Sequence, residues 1–233
     1  MSLELRGKTA SAKRGRVQTR QFKTRTRLLK AAYSLMSRKG IDETTIQEIT
    51  EAADVGFGTF YNYFMSKDDI AIKVLDCVIN TLGRRNDLAN KAMAVPDPVL
   101  AVANSVRLVA REMMNNPIWR WWLKRPDIMV ERMRNGFRPF GIRDMRAAIE
   151  TGGYHIADQD METAWSFLIW LLAGNIKDIV DGLRPATTEK VMAEAVMRVM
   201  GVDLALARTC SSAPLPELPH LEINFAFELA EEA

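Results

Sequence analysis

Two cysteines and two histidines are all that the 233 residues supply. Cys77 and Cys210 stand far apart with no metal-ligand spacing around them, and His155 and His220 stand alone. Neither a zinc site nor a disulfide framework is therefore expected, and a reducing compartment is. Long apolar runs are missing too. The stretch from Ala164 to Gly174 contains Ser166 and is too short to cross a bilayer, and the N-terminus has no apolar segment of the kind that directs export. The expected setting is the cytoplasm, without membrane. There is no Gly-x-Ser-x-Gly elbow, no glycine-rich phosphate loop, no HExxH and no histidine close to either cysteine. The acidic pairs Asp68-Asp69 and Asp158 with Asp160 sit at helix starts, where the helix dipole already accounts for them. Enzyme, metal and cofactor are all expected to be absent.

What the chain has is apolar content and an uneven charge. A hydrophobic fraction of 48% supports a full core, and the length suits one large domain or two smaller ones. Residues 1 to 30 hold ten Lys or Arg against Glu4 alone, a local balance of +9. Because the whole chain is +3, the remainder carries −6. The basic character is an N-terminal device, suited to phosphate contact and to the minor groove. A solubilising tail explains residues 1–20 equally well on their own.

Beside that arm, residues 44–69 (TTIQEITEAADVGFGTFYNYFMSKDD) read as two short helices joined by a tight turn and opening onto a third. Thr45 with Glu48 is a capping box, so a helix starts there with Ile46, Ile49 and Ala53 on its inner face; Thr44 with Gln47 offers the same cap one residue earlier. Asp54-Val55-Gly56 breaks it, because Asp tolerates a left-handed backbone, Val55 fills the angle and Gly56 serves as the next N-cap. In the following helix, about Phe57 to Phe64, Phe60 and Phe64 face inward while Thr59, Asn62 and Tyr63 point elsewhere, as DNA contacts would. Ser66 with Asp69 caps a further helix carrying Ile70, Val74, Val78 and Leu82.

On these residues the segment resembles the DNA-binding domain of the TetR family of bacterial transcriptional regulators. The resemblance rests on Thr44-Thr45, Ile49, Ala53, Val55, Gly58 to Tyr61, Tyr63-Phe64 and Ser66-Lys67, with the preceding helix Thr24 to Lys39 and its Gly40 stop. It covers roughly residues 22 to 80. Two positions depart from the family pattern: Asp54 stands for the usual turn glycine, and Gly56 for the usual N-cap serine. The expected DNA-facing set is Thr45, Gln47, Gly56, Phe57, Thr59, Tyr61, Asn62, Tyr63 and Lys67, in which Tyr61 and Lys67 enter by matching family positions that hold the DNA backbone.

From residue 83 onward the pattern predicts a second helical domain. Pro96-Asp97-Pro98 reads as a linker, Val99 to Met113 as a helix ending near Asn115-Asn116, and Pro117 to Leu123 as a short tryptophan-rich helix. A run from Asp127 is expected to break at Gly136 to Pro139, with a further helix ending at Gly152-Gly153. Two long helices, Asp158 to Asp181 and Thr188 to about Ala207, follow. The first is apolar nearly all round, which one subunit's core struggles to cover. The resemblance implies a homodimer through a four-helix bundle of these two helices, with Leu168, Leu172, Ile176, Val191, Ala195 and Val199 at the interface. Burial in the chain's own core is the alternative. The Pro-rich, acidic tail after Ser212 alternates Leu221, Ile223, Phe225 and Phe227 as a short strand or an adhesive segment would.

Met113, Trp119, Trp122, Met129, Met133, Phe137 and Trp165 are the candidate effector pocket, since Met adapts its shape and Trp offers a flat face with one donor. Core packing explains each of them singly; the resemblance is what favours a cavity. Arg107, Arg111, Lys124 and Arg132 suit an acidic head group, although a solvated helix face explains them more cheaply. The expected protein is all-α: a flexible basic arm (1–21), a helix-turn-helix domain (22–82), a helical effector-binding and dimerisation domain (83–212) and an acidic tail (213–233). Its expected function is a repressor that binds a pseudo-palindromic operator as a dimer and is released by a small apolar or amphipathic ligand. An architectural or partner-recruiting DNA-binding protein without an effector is the runner-up, and a helical enzyme a distant third.

Overall fold

The computed structural model describes residues 3–93, 97–156 and 160–229, with side chains from residue 19 onward. The described residues are helical without a strand: α1 (Leu3–Lys39), α2 (Ile46–Ala52), α3 (Phe57–Phe60), α4 (Lys67–Lys91), α5 (Pro98–Asn115), α6 (Ile118–Trp122), α7 (Pro126–Glu150), α8 (Met161–Val180), α9 (Glu189–Val199) and α10 (Leu204–Ser212). They form two compact units. Unit 1 is residues 1–77 with 225–228, and unit 2 is 78–224 with 229–233. Of the expected linker Pro96-Asp97-Pro98, Asp97 is the N-cap of α5 and Pro98 its first residue; residue 96, the start of a helix at Asp158 and the acidic residues 230–233 lie outside the described residues.

In unit 1, α1 buries Leu28, Leu29, Ala32 and Met36 on one stripe, as a helix packed on one face must. It stops at Gly40, whose φ of +89 suits a residue without Cβ and whose N–H closes on Met36 O at 2.9 Å. At its other end α1 begins at Leu3, so the backbone assigned above to a flexible arm is helical; Ala, Lys, Arg and Gln, which dominate it, are good helix formers. Opposite α1 lie Ile49 of α2, Phe60 of α3 and Ile70, Ala71, Val74 and Leu75 of α4, all buried.

Unit 2 packs the rest of α4 with α5 to α10. The run expected to break between Gly136 and Pro139 is one helix, α7, with Pro139 inside it. Its glycines serve close packing rather than interruption. A Cβ on Gly136 would meet Ile79 Cγ2 at 2.5 Å, and one on Gly141 would meet the Trp165 ring at 2.3 Å. The helix expected to reach Ala207 is divided instead. Gly201 has φ +76, and a Cβ there would lie 2.2 Å from His155 O, so the chain turns where only glycine fits. Asp203 then caps α10 by accepting from the N–H groups of Ala205 and Leu206. Between α5 and α9, Glu189 takes two hydrogen bonds from Arg111 (2.7 and 2.6 Å) and an ion pair from Arg107 at 3.6 Å. Arg107 is buried, so the solvated-face reading fails for it.

The tail has no strand. Phe225 is buried, while Leu221, Ile223 and Phe227 are half-buried. Among the described residues no helix is long and apolar enough to cross a membrane.

Candidate nucleic-acid interface and ligand cavity

The α2–turn–α3 segment is fixed mostly by short-range bonds. Glu48 N donates to Thr45 Oγ1 at 3.2 Å and Thr45 N donates to Glu48 Oε2 at 2.9 Å, completing the capping box. Lys39 donates to the other Glu48 oxygen at 2.6 Å. That ammonium, followed by the Thr45 backbone and hydroxyl donors, pulls the Glu48 carboxyl down to about 2. Thr44 does not act as the alternative cap; it is buried and donates to Gly40 O at 2.7 Å. At the turn Asp54 is the one described non-glycine residue with positive φ (+49). Arg27 of α1 pins it twice, at its carbonyl (2.8 Å) and its carboxylate (3.0 Å). Sequence spacing offered no sign of that bond, because it links α1 to a turn 27 residues further on. Gly56 stands at the N-cap of α3 without a side-chain bond.

Phe60 and Phe64 anchor the segment inward, their ring centroids 5.6 Å apart. α3 is shorter than expected, and turn backbone carries Tyr61 to Tyr63. What remains exposed is a patch from Thr45, Gln47, Gly56, Phe57, Gly58, Tyr61 and Asn62, with Thr59, Tyr63 and Lys67 half-exposed. Phe57 and Tyr61 meet edge to face at 5.8 Å and are each about half exposed, so a small aromatic ridge stands beside the Asn62 amide. Gln47 Nε2 donates to Glu51 Oε1 at 2.9 Å, and Lys67 Nζ to Asp42 O at 2.9 Å. Donors, an amide and apolar ring edges on one short helix and its flanks are the groups that read base edges and hold phosphates.

Unit 2 contains a cavity of about 60 Å³ between α4, α5, α7 and α8. Phe137, Phe140 and Trp165 form its aromatic side, with Val106, Leu168 and Leu172 beside them. Trp165 is held by donating from Nε1 to Arg134 O at 3.1 Å. Its polar end carries Asn86, Asp87, Ser105 and Asp144, each with at least one acceptor oxygen. Among the described residues the buried Asn86 Oδ1 has no hydrogen-bond partner. Arg143 sits between the two carboxylates, 2.6 Å from Asp87 Oδ1 and 2.6 Å from Asp144 Oδ1. Burial raises both acids, and the balance differs between them. At Asp144 burial wins over Arg143 and the carboxyl is pushed up, whereas at Asp87 the bonds from Lys91 and Arg143 overcome burial and hold it down.

Of the expected pocket residues, the structure brings Phe137 and Trp165 to the cavity. Met113, Trp119, Trp122, Met129 and Met133 are packed at 1% exposure or less and do not line it. They fill the core because periodicity marks an inward face without distinguishing a filled interior from a hollow one. Asn86, Asp87, Ser105, Phe140 and Asp144 were missed. One signal existed for the first: the stripe Ile70, Val74, Val78, Leu82 continues four residues on to Asn86, an amide on an apolar face.

The expected interface residues divide in the same way. Leu168, Leu172 and Ile176 point into unit 2's own interior, the first two against the cavity, and so present no surface. Val191, Ala195 and Val199 are exposed on α9. The apolar surface of α8 is the opposite one, with Phe167 at 54% and Trp170 at 50% exposure, flanking a shallow groove with Leu171, Gly174 and Val199.

Against known families, residues 28–74 match the model for bacterial regulatory proteins of the tetR family, and residues 97–212 match that for the tetracyclin repressor-like C-terminal domain. Curated relatives include the uncharacterized HTH-type transcriptional regulator YdeS of Bacillus subtilis, 33% identical over 43% of this chain and 49% of its own length. The HTH-type transcriptional repressor KstR of Mycolicibacterium smegmatis is 30% identical over 42% and 47%. The chain thus spans about half the length of these curated relatives. Among solved structures, RolR without ligand superposes with a TM-score of 0.74 at 30% identity, covering 83% of this chain and 99% of that one. RolR in complex with resorcinol superposes with a TM-score of 0.78 at 29% identity, covering 87% and 100%. With both family models matched in order and a solved relative aligned along nearly its whole length, the chain belongs to the TetR family of bacterial regulatory proteins.

Proposed function

We propose that this protein is a transcriptional repressor that binds a pseudo-palindromic operator as a homodimer and is released by a small, uncharged, hydroxylated aromatic ligand. The observation that carries the ligand class is the make-up of the cavity: aromatic walls at one end and acceptors at the other. A carboxylate would bring only acceptors to the Asn86 oxygen, and any ligand without donors would leave that oxygen unsatisfied. A ring bearing hydroxyl groups meets both ends. The likeness to RolR, whose complex contains resorcinol, supports the same chemistry. The space of about 60 Å³ is less than half of the ~150 Å³ engineered cavity that takes up benzene, so one ring must displace side chains and a long acyl chain has no room.

For the DNA side, Phe57, Thr59 and Asn62 are proposed to enter the major groove, with Gln47 and Tyr63 at its edge and Thr45, Gly56, Tyr61 and Lys67 on phosphates. A second copy is the proposed occupant of the exposed α8–α9 face formed by Phe167, Trp170, Val191, Ala195 and Val199, since rings half exposed on a helix surface are costly to leave in water. Helix α4 carries Lys67 at its start and Gly83, Asn86 and Asp87 along the cavity, so a ligand that shifts the latter moves one continuous helix. A typical coupling of about 1–3 kcal/mol corresponds to roughly 5- to 150-fold in operator affinity.

The test is selection of operator DNA from random sequence, followed by titration with resorcinol, catechol, phenol and benzoate. Release by the hydroxylated rings and indifference to benzoate are expected. Release by benzoate, or by none of the four, would overturn the ligand class. A monomer in light scattering with salt-insensitive DNA binding would overturn the dimeric operator reading.

A further inference from the structure

The segment of residues 213–228 lies outside both matched family regions, which end at residues 74 and 212. It has almost no regular structure, yet its backbone is held at intervals by side chains. Within unit 2, the buried Arg107 donates to Ala213 O at 2.6 Å, Arg85 Nε donates to Pro219 O at 2.8 Å, and Asn224 N donates to Thr81 Oγ1 at 3.3 Å. One residue later the chain belongs to unit 1. There the Phe225 ring is 8% exposed, with its centroid 5.6 Å from that of Tyr33 of α1. The fully buried Cys77 thiol lies 3.7 Å from Phe227 O and donates to it, and Arg25 pairs with Glu228 at 3.4 Å. The same Arg25 guanidinium lies over the Phe64 ring, 5.8 Å from its centroid. Residues from the far end of the chain therefore complete the core of the unit that carries α2 and α3.

We propose that residues 213–228 form a strap: their carbonyls are pinned in unit 2, and their last four residues close the core of unit 1 over Tyr33 and Cys77. A polar backbone without a ladder stays in place only where individual donors hold it, and here those donors are Arg107 and Arg85. Loosening the strap at its unit 2 pins releases Phe225 from Tyr33, so the packing of the reading unit depends on the state of the other unit. Cys77, which sits beneath the strap, reports the release directly. This inference does not rest on the proposed ligand or operator.

The experiment uses the full-length protein and compares the rates at which a thiol reagent labels Cys77 and Cys210, resolved by mass spectrometry. Phe225→Ala is expected to raise the Cys77 rate about tenfold by local opening. Arg85→Met, a change in the other unit, is expected to raise it about threefold, the lower range for loss of one hydrogen bond. Glu112→Gln removes the partner of the Arg85 ion pair at 3.2 Å while leaving the bond to Pro219, and should change the rate by less than about twofold. Cys210, in α10, should label at the parent rate in all three. A Cys77 rate unchanged by Phe225→Ala or by Arg85→Met would overturn the strap. So would an equal response to Glu112→Gln, or a parallel rise at Cys210, which would mean general unfolding.

Discussion

In unit 1 most bonds that shape the recognition segment reach a few residues along the chain: Thr45 to Glu48, Ser66 to Asp69, Lys39 to Glu48. In unit 2 the bonds that tie helices together span 31 residues from Trp165 to Arg134 and 78 from Arg111 to Glu189. The contrast extends to one sharp helix break in each unit. Asp54 takes its left-handed turn with its side chain in solvent and Arg27 bonded to it, whereas Gly201 takes its turn wedged beneath the His155 carbonyl. A segment held by caps can lose one and fray; a cavity held by mutual packing shifts as a whole.

If that contrast is right, the largest effect belongs to Gly201→Ala. The new Cβ would sit 2.2 Å from a backbone oxygen at positive φ, and unit 2 should lose about 3 kcal/mol or more. All five tryptophans, residues 119, 121, 122, 165 and 170, belong to unit 2, so denaturant titration followed by tryptophan fluorescence reads that loss selectively. Gly141→Ala comes next. It drives a methyl into the Trp165 ring, costs about 1–3 kcal/mol and should abolish the response to a hydroxylated ring in a DNA-release titration, while ligand-free operator affinity stays near the parent value. Loss of both together would break the separation of the units. Thr45→Ala removes the capping box for about 1 kcal/mol and should leave the tryptophan transition in place while hydrogen exchange in α2 accelerates.

The smallest effects are in pH dependence, and they run in opposite directions. Glu48 has a folded value near 2, below its unfolded one, so its contribution is present at neutral pH and lost as pH falls from about 4.5 towards 2. Asp144 is raised by burial, so the folded state binds its proton more tightly and stability falls as pH rises through and above the ordinary aspartate range. Glu48→Gln should flatten the acid limb of hydrogen exchange in α2, and Asp144→Asn should flatten the opposite slope of the tryptophan transition. Slopes of the same sign would contradict the assigned environments.

The same division governed what the sequence made legible. The Thr45 cap, the left-handed Asp54, the inward Phe60 and Phe64 and the stop at Gly40 are each written in residues close to the place they act, and the structure carries all four. Gly136 and Pro139 read as a break because a glycine needed for contact with Ile79 looks, in one dimension, like a glycine needed for a turn. Trp119 and Trp122 read as cavity walls because an indole looks the same filling space as bordering it. Leu168 and Leu172 were placed on the wrong face because α8 is apolar nearly all round, and only its neighbours decide which side turns inward. Arg27 reaches the turn at Asp54 and Arg143 reaches Asp87 of α4, partners distant in the chain that no local spacing encodes.

One bond in the reading unit bears on how an anion would be received there. Lys67 is held by the Asp42 carbonyl at 2.9 Å, leaving its ammonium two further donors. Arresting a lysine side chain costs up to about 2 kcal/mol in rotamer freedom, and in this chain part of that freedom is surrendered on folding. A polyanion arriving at Lys67 therefore meets a charge already at rest, and the entropy it gains by shedding counterions is not set against a side chain that must first stop moving.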